Sequence, residues 1–536
     1  MDIFKKLTRI VFIDLILLFI FIVINQLFLF IPYSPANIIT TCVTLIIFDC
    51  CIFILYSFKI ATSKKTHIRT SIAIISLTIL IYLGFVTINS SVFRAEDYRN
   101  LAGDIKSENF SDDISHVDMS KLPIIHTDLA INLADKKIGE LNLGSQMQVG
   151  TMTLQTVGEN FYYVAPLEFN GFFKWNDKKT TPGYIMVNAT KENDVKLVTN
   201  INGKELKLKY LKNSFFGDNL NRLSFKYAQD KYKTDYTFEI DDNGNPYWVI
   251  SLYEKSFIFG GDKVTGTLII DAQTGESNTY SIENTPSWVD RIQPLSIVDK
   301  NINYWGRLVH GFFNFSKRDM LQSTDGYKII YNNGECFYYT GITSVSSDSS
   351  LNGFILTNSK TAKSKFYKVS GAIETSAQGS AQGKVQEKGY DTSFPILINI
   401  QNSPTYFMTY LDKQGLIKGY SFVNVENYNQ VAIGDTLNSA YENYVKLLVN
   451  NSGSLQNEGK LVEKKGTIDR IGLSMNGDDI IYNITLVGDK TLYRVSSSNN
   501  EVTLTKPKES VVLKYIDNNL SVKMVQDFDN LSLDFN

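Results

Sequence analysis

The richest concentration of chemically capable side chains lies between residues 287 and 314, in the segments SWVDRIQP and NYWGRLVHGFFN. It combines aromatic rings with a carboxylate, two guanidinium groups and an imidazole, in the residues Trp288, Asp290, Arg291, Trp305, Arg307 and His310. Aromatic rings beside an Asp–Arg pair suit a cleft that binds a polar ligand by stacking and charge-assisted hydrogen bonds. The same pattern also suits a buried Asp290–Arg291 network beneath a tryptophan-rich helix that joins two domains.

The remaining sequence offers little catalytic chemistry. No nucleophile stands at a recognisable spacing from His310, and the common zinc, serine-hydrolase and phosphate-loop motifs do not occur in the chain. The segment EIDDNGNP (239–246) resembles part of a calcium loop, but its last ligand position would be Ile250, where a bidentate Glu is needed. Its Asn-Gly pair predicts a hairpin turn instead. We therefore expect no metal site and no cofactor.

Three apolar runs near the N-terminus are each long enough to cross a bilayer, which takes about 20 residues. They are predicted at 10–31, at about 38–58 and at about 70–93. Basic residues precede the first run and fill FKIATSKKTHIRT (58–70), which separates the second run from the third. Because Lys and Arg accumulate in short cytoplasmic loops, the N-terminus is predicted inside and the chain after residue 93 outside. Failure of the third run to cross would return that region to the cytosol.

Two acidic residues fall within the predicted spans. Asp14 lies near the cytoplasmic end of the first span, and Asp49 lies near the middle of the second. An ionisable group at such depth usually faces protein instead of lipid. We interpret both residues either as contacts with another membrane subunit, or a proton or ion site, or as packing within the three-helix anchor. One acid per span without a basic partner does not predict a transport path.

The region from residue 126 onward begins with a helical pattern, and many strand patterns follow. Residues 126–142 place Leu129, Leu133, Ile138 and Leu141 at helical spacing. Strand segments follow, and three stretches share a similar course: APLEFNGFFKW to PGYIMVNATKEND, NGNPYWVISLYEK to VTGTLIIDAQTGES, and QNSPTYFMTYLDKQGLIKGYSFVNVENYNQ. Each predicts a curled antiparallel unit that must stack on its neighbours to bury a face. An amphipathic helix is predicted within 435–451.

The C-terminal part begins with NSGSLQNEGK (451–460), which is a linker by composition. Five strand-like segments follow within about 75 residues, which favours a small barrel of the OB or SH3-like kind. The net charge of the whole chain is −2 and neither half is strongly basic, so nucleic acid is not an expected partner. The mixed charge of the barrel favours a structural or protein-contact role.

The segment YTFEIDDNGNPYWVISLY, followed by VTGTLIIDAQTGESNTYSI, resembles a PepSY-type domain. The resemblance is carried by a strand that ends in the residues Asp271, Ala272, Thr274, Gly275 and Glu276. Such domains occur in peptidase propeptides and in membrane-anchored envelope proteins. The resemblance therefore implies a binding or inhibitory module.

The predicted fold is a three-helix transmembrane anchor followed by an α+β, β-rich extracytoplasmic region of repeated antiparallel units, with a small C-terminal five-stranded β-barrel. The predicted boundaries place the transmembrane helices at 1–93, a connector at 94–125, a first PepSY-like α+β region at 126–330, a second α+β region at 331–450, the linker at 451–460 and the barrel at 461–536.

The expected function is that of a non-catalytic binding or scaffold protein of a bacterial cell envelope. Only one cysteine, Cys336, lies outside the apolar runs, so the outer region cannot form an internal disulfide, which fits a bacterial surface or a cytosolic domain. The expected partners are other membrane or envelope proteins, besides the lipid bilayer itself. Two alternatives stay open: an envelope hydrolase that acts on a wall polymer, with its site near residues 288–310, and a regulator of an exported peptidase.

Overall fold

The computed structural model describes residues 15–57, 64–346, 350–452, 461–476, 479–516 and 522–533. It begins with helices α1 (Leu15–Leu29), α2 (Pro35–Ser57) and α3 (Lys64–Ile88). Among the described residues, α2 and α3 are long and apolar enough to cross a membrane. The beginning of the first predicted span, including Asp14, lies outside the described residues.

Asparagine side chains end two of these helices. Asn25 is fully buried; its Nδ2 donates to the carbonyl of Ile31 at 2.9 Å and its Oδ1 accepts from the N–H of Ile31 at 2.7 Å. Asn89 follows α3 and donates from Nδ2 to the carbonyl of Phe85 at 2.8 Å. Such bonds satisfy backbone groups that a helix end leaves without partners. Helix α3 therefore ends at Ile88, before the predicted end of the span at residue 93.

A connector of short elements leads from α3 to the body: α4 (Ala95–Arg99), β1 (Lys106–Glu108) and α5 (Phe110–Asp113). In the described part of the chain, the body then contains four larger sheets whose main strands are antiparallel, and a helix precedes each of them. Sheet one follows α6 (Thr127–Glu140) and comprises β2 (Met147–Val149), β3 (Thr153–Val157), β4 (Asn160–Phe169), β5 (Tyr184–Asn188) and β6 (Val195–Val198), with α7 (Phe172–Lys178) between β4 and β5. Helix α6 confirms the helix predicted at 126–142.

A small hairpin, β7 (Asn200–Ile201) and β8 (Lys204–Glu205), leads to α8 (Leu220–Tyr227) and sheet two. Sheet two comprises β9 (Tyr232–Ile240), β10 (Pro246–Phe257), β11 (Gly260–Asp271) and β12 (Ser277–Ser281). The turn between β9 and β10 is the predicted Asn-Gly hairpin, where Oδ1 of Asp241 accepts from the N–H groups of Asn243 and Asn245.

Sheet three follows α9 (Leu295–Arg307) and comprises β13 (Leu321–Ser323), β14 (Lys328–Asn332), β15 (Glu335–Ser344), β16 (Ser350–Asn358), β17 (Ser364–Tyr367) and β18 (Gly371–Ala372). Strand β1 of the connector joins this sheet by parallel pairing with β17. Sheet four follows α10 (Glu374–Lys384) and comprises β19 (Asp391–Thr392), β20 (Ile396–Ile400), β21 (Ser403–Leu411), β22 (Ile417–Asn424) and β23 (Val431–Gly434). Helix α11 (Leu437–Ser452) closes the body, at the position predicted from its amphipathic pattern.

Buried apolar clusters connect the four sheets in a closed order. One cluster joins sheets one and two, and α9 contributes to two more that lie against sheets two and three. Another joins sheets three and four around α10, and the last joins sheet four back to sheet one around α6 and α11. Each helix therefore buries its apolar face between two successive sheets, and the body forms a ring.

In each sheet, a backbone carbonyl lies directly after the third main strand, which is β5, β11, β16 or β22. This carbonyl accepts hydrogen bonds from the segment that leads into the helix before that sheet. In sheet one, the N–H groups of Ile124 and Ile125 both donate to the carbonyl of Ala189, at 2.9 and 3.0 Å. The same arrangement joins Lys209 and Tyr210 to Ala272, Ile292 and Gln293 to Ser359, and Ala372 to Val425. These bonds fix where each helix begins relative to its own sheet.

The same third strands share the pattern Gly-x-x-x-x-Asn/Asp, followed by Ala or Ser in three of the four copies and by Val in the other. It reads GYIMVNA (183–189), GTLIIDA (266–272), GFILTNS (353–359) and GYSFVNV (419–425). A Cβ at any of these glycines would lie against a backbone carbonyl oxygen of the fourth strand, at Val198, Tyr280, Tyr367 or Gly434. The glycines therefore allow the fourth strand to approach closely.

The C-terminal domain is a closed barrel of five strands, as predicted. It comprises β24 (Leu461–Asn476), β25 (Asp479–Leu486), β26 (Leu492–Ser496), β27 (Ser510–Ile516) and β28 (Val522–Asn530), with α12 (Asn500–Leu504) between β26 and β27. Strand β26 pairs in parallel with β28, and β24 pairs with both β25 and β27. This order, with a helix between the third and fourth strands, is the OB topology and not the SH3 one. An ion pair between half-buried Arg494 and buried Glu442, at 3.1 Å, joins the barrel to α11.

We predict that Gly266→Ala lowers the free energy of unfolding of the body by about 1–3 kcal/mol, the usual cost of overpacking. The new methyl group would overlap the carbonyl oxygen of Tyr280, and backbone cannot move aside as a flexible side chain can. Urea unfolding of the detergent-solubilised chain measures the change. Gly139→Ala in α6 is the control, because a Cβ there meets nothing within 4 Å and the change is expected to stabilise the helix by up to about 1 kcal/mol. Equal stability of both variants would contradict the close-approach role.

Candidate functional site

A cavity of about 270 Å³ lies where the four sheets converge. The first main strand of each sheet (β3, β9, β14 or β20) contributes to its lining, through Leu154, Asp235, Lys328 and Ile396 among others. The segments that enter α6 and α9 complete the wall, with His126 and Arg291. The cavity is smaller than the sites that bury drug-sized ligands, so it suits a single side chain or a small polar molecule.

Two ionisable groups, Arg291 of the cavity wall and the fully buried Glu239, lie close enough to interact electrostatically. Nε of Arg291 is buried and has no hydrogen-bond partner among the described residues. Glu239 is fully buried; its Oε1 accepts from Oγ1 of Thr237 at 2.9 Å, whereas its Oε2 has no partner in the described part of the chain. Burial raises the pKa of Glu239 to about 7, and the attraction of Arg291 opposes this shift. Burial also disfavours the charge on Arg291, but nearby groups, Tyr338 and Glu239 foremost, outweigh it and raise the pKa of Arg291.

Asp290, next to Arg291 in the chain, forms hydrogen bonds with sheets one and three. Its Oδ2 accepts from the N–H of Thr156 at 2.5 Å and from the hydroxyl of Tyr331 at 3.3 Å. Its backbone carbonyl accepts from Oγ of Ser359 at 2.6 Å. Burial raises the pKa of Asp290, although the bond from Thr156 acts in the opposite direction. The predicted Asp290–Arg291 pair is thus part of a buried polar network.

His126 and Lys328 line the cavity wall. His126 caps α6, because its Nδ1 accepts from the N–H of Leu129 at 3.3 Å, and its buried Nε2 has no partner among the described residues. Burial lowers the pKa of His126, so the ring is neutral near pH 7. Burial also lowers the pKa of Lys328, and the charge of Asp128 opposes that shift. With Arg291 added, the wall presents donors that suit an anionic or carbonyl group.

A polar cleft of about 650 Å³ adjoins the cavity, and the two share Asp235, Leu295 and Tyr327. Asp299 organises the cleft, because its Oδ1 accepts from Tyr327 at 2.8 Å, from Ser323 at 2.9 Å and from Asn303 at 2.8 Å. Arg307, a candidate from the sequence, lines the far side and donates to Gln322 at 2.6 Å.

The structure separates the other candidates from this centre. Trp288 stacks on Tyr247 at 5.2 Å between ring centroids, against sheet two. Trp305 lies on α9, near Phe366. His310 lies in an exposed loop after α9 and pairs with Asp319 at 2.8 Å. Because the 13-residue helix α9 is about 20 Å long, His310 and the Asp290–Arg291 pair stand at its opposite ends.

The structure describes one of the two acidic residues of the predicted spans. Asp49 is half-buried on α2, well inside the apolar part of that helix. Asp14 lies outside the described residues. In the described part of the chain, no group of three or more His, Cys, Asp or Glu residues could hold a metal ion.

Sequence analysis missed Glu239, His126 and Lys328 as parts of the site. Glu239 appears in the sequence only as the first residue of the apparent calcium loop, and His126 only as the residue before a helix. One local signal could have indicated a buried carboxylate. In FEIDD, Glu239 lies within a strand between Phe238 and Ile240, which are both buried.

Comparisons with known proteins do not add to this description. The sequence matches no protein-family model and no curated protein. An ACO/RPE65 chimera aligns at 8% identity and a TM-score of 0.14, over 69% of this chain and 59% of that one. Levansucrase mutants from B. megaterium and B. subtilis align at 10% identity, with TM-scores of 0.17 and 0.18, over 79% and 80% of this chain and 98% of each of theirs. Scores this low carry no argument about fold or function.

We predict that Glu239→Gln removes a pH dependence of stability between pH 4.5 and 7. In that window folded Glu239 keeps a proton that the unfolded chain releases, so the parent loses stability as pH rises, by up to about 3 kcal/mol at 1.36 kcal/mol per pKa unit. Gln mimics the protonated form and cannot titrate. Unfolding of both chains at pH 5 and pH 8 measures the difference, and parallel profiles would show that Glu239 titrates normally.

Proposed function

We propose that this chain is a membrane-anchored, non-catalytic binding protein of a bacterial cell envelope, with its large C-terminal region outside the cytoplasm. The observation that carries the proposal is the central cavity, which Arg291, His126 and Lys328 line and which no described residue fills. A ligand group bound there would form hydrogen bonds with these polar side chains. Apolar helices at the other end of the chain would hold this body at a membrane.

We further infer that the four helix-and-sheet units are copies of one PepSY-like unit. The support is the fourfold Gly-x-x-x-x-Asn/Asp pattern and the fourfold carbonyl contact, of which the segment at 266–272 carries the PepSY resemblance. A ring of repeats brings one inner strand from each unit to a common axis. Such an axis is a natural place for a binding site, because side chains from distant parts of the chain converge there.

The cavity wall favours a ligand group with negative charge or a carbonyl oxygen. Lys328 and Arg291 are cationic, and His126 offers a neutral ring whose Nδ1 is occupied as an acceptor. Because the volume fits one side chain, the proposed ligand is an acidic residue or chain end of another envelope protein.

The orientation rests on the basic flanks of the spans and can be tested by cysteine labelling. Asp242 is exposed in the β9–β10 turn, so Asp242→Cys is expected to react with a membrane-impermeant maleimide in intact cells. The parent chain is the control: Cys336 is buried, and burial raises the pKa of its thiol to about 12. Labelling that requires permeabilised cells would place the body in the cytosol.

The binding role can be tested by crosslinking in cells, followed by purification of the intact membrane protein. We expect the parent to retain a partner and Lys328→Gln to lose most of it, because the half-buried lysine is one of the two cationic groups of the cavity wall. Lys413→Gln is the matched control, since Lys413 is an exposed lysine of the β21–β22 turn. Recovery of the parent without companions would oppose the binding role, and equal capture by both variants would exclude the cavity as the site.

A further inference from the structure

The loop after α9 carries three aromatic side chains that face away from the protein. Phe312, Phe313 and Phe315 are exposed by 44%, 63% and 85%. Their rings contact one another, at 5.3 Å between Phe312 and Phe313 and at 5.9 Å between Phe313 and Phe315. Exposed aromatic clusters of this kind mark interaction sites.

The loop is held in shape by polar bonds that leave the rings outside. Nδ2 of Asn314 donates to the carbonyls of Val309 and Arg318, at 3.1 and 2.8 Å, and so ties the two ends of the loop together. His310 and Asp319 add a second bond across the base at 2.8 Å. The exposure of the rings is therefore a property of an ordered loop.

The loop lies level with the end of the apolar helix α3. The C-terminal end of α9 contacts the segment that follows α3: Nε of Arg99 donates to the carbonyl of Trp305 at 3.2 Å, and Tyr98 contacts Tyr304 at 5.0 Å. Tyr98 in turn donates to the carbonyl of Asn89, directly after α3, at 2.8 Å. Ser91, Phe312 and Phe315 line one cavity of about 690 Å³.

A second turn of the body reaches still further along α3. Phe259, between β10 and β11, contacts Tyr82 at 5.6 Å and Phe85 at 5.9 Å, and both residues lie within the apolar helix. Tyr82 is six residues before Ile88, which is about 9 Å along the helix. This side of the body therefore meets the level at which a bilayer around α3 would begin.

We propose that the aromatic loop, residues 311–315, inserts Phe312, Phe313 and Phe315 into the adjacent leaflet of the bilayer that α2 and α3 cross. The proposal rests on the membrane anchoring proposed above. Phenylalanine rings bury favourably in the acyl boundary, and the exposed cations Lys317 and Arg318 follow them where anionic headgroups would lie. A bilayer is favoured over a protein partner because the loop is continuous with the end of a span.

The loop would therefore help to fix the tilt of the body at the membrane. The body already contacts α3 through the Phe259 turn, and it contacts the segment between α1 and α2, where Oγ of Ser34 lies 2.7 Å from the hydroxyl oxygen of Tyr232. The aromatic loop would add a contact with the lipid itself and would limit the tilt further.

The test measures nitroxide accessibility in the full chain reconstituted in phosphatidylcholine–phosphatidylglycerol nanodiscs. Cys42, Cys50 and Cys51 are replaced by Ala, and buried Cys336 is kept. Labels are placed at Phe315→Cys, at Leu80→Cys on the exposed face of α3, and at Asp242→Cys. Asp242 precedes β10, whose 12 residues place it about 40 Å along the strand from the Phe259 turn.

We expect the ratio of oxygen to nickel-chelate accessibility at Phe315→Cys to approach that at Leu80→Cys and to exceed that at Asp242→Cys several-fold. A ratio equal to that of Asp242→Cys would overturn the proposal, because the loop would then stand in water. Protection from both reagents would also overturn it, since protein would then cover the loop. Nickel access at Leu80→Cys would instead refute the membrane anchoring.

A second variant excludes an effect of the label itself. Ser316→Cys leaves all three rings in place, and its label is expected to report the lipid boundary. Replacing Phe312, Phe313 and Phe315 together by Ser should shift that label toward the nickel chelate, while Asn314 continues to hold the loop. No shift would mean that the rings do not hold the loop at the membrane, which contradicts the proposal.

Discussion

A single carbonyl group in each sheet determines where the helices of the body can lie. The carbonyls of Ala189, Ala272 and Ser359 each accept two N–H groups from the segment that enters a helix, and Val425 accepts one. Buried backbone donors need partners, so the helix entry has little freedom to slide. Each helix fills the space between two sheets, so the carbonyl contact also sets the angle between those two sheets. Repeated in all four sheets, the contact determines how the ring closes.

Closure has an electrostatic cost at the centre. Strand β9 and the segment that enters α9 bring Glu239, Asp290 and Arg291 together in a region from which water is largely excluded. Arg291 offsets part of the desolvation of both acids and Lys360 acts in the same direction on Asp290, yet burial still raises the pKa of both carboxyls. A well-packed apolar centre is often equally stable or more stable. Under the proposed binding function, these polar groups would serve recognition.

Local pattern was enough for helices α6 and α11, the Asn-Gly turn and the five barrel strands, because neighbouring residues decide each of them. The fourfold glycine pattern is also visible in the sequence, yet the copy at 353–359 stands apart from the three segments that indicated a repeat. Proximity in sequence was a poor guide to which residues form the site. Trp288 and His310 are separated by the length of α9, whereas Glu239 and His126 come from distant segments of the chain. No local pattern specifies which sheets become neighbours.

Helix α6 is the first helix of the body in the sequence, and it also completes the contact between sheets four and one. Helix α6 packs against strands of sheet four and against Tyr444 of α11, about 300 residues later in the chain. At synthesis rates of about 5–20 residues per second, its apolar face stays without those partners for roughly 15–60 seconds. Throughout that interval a nascent chain would expose apolar surface, and such surface is prone to aggregation unless a chaperone covers it.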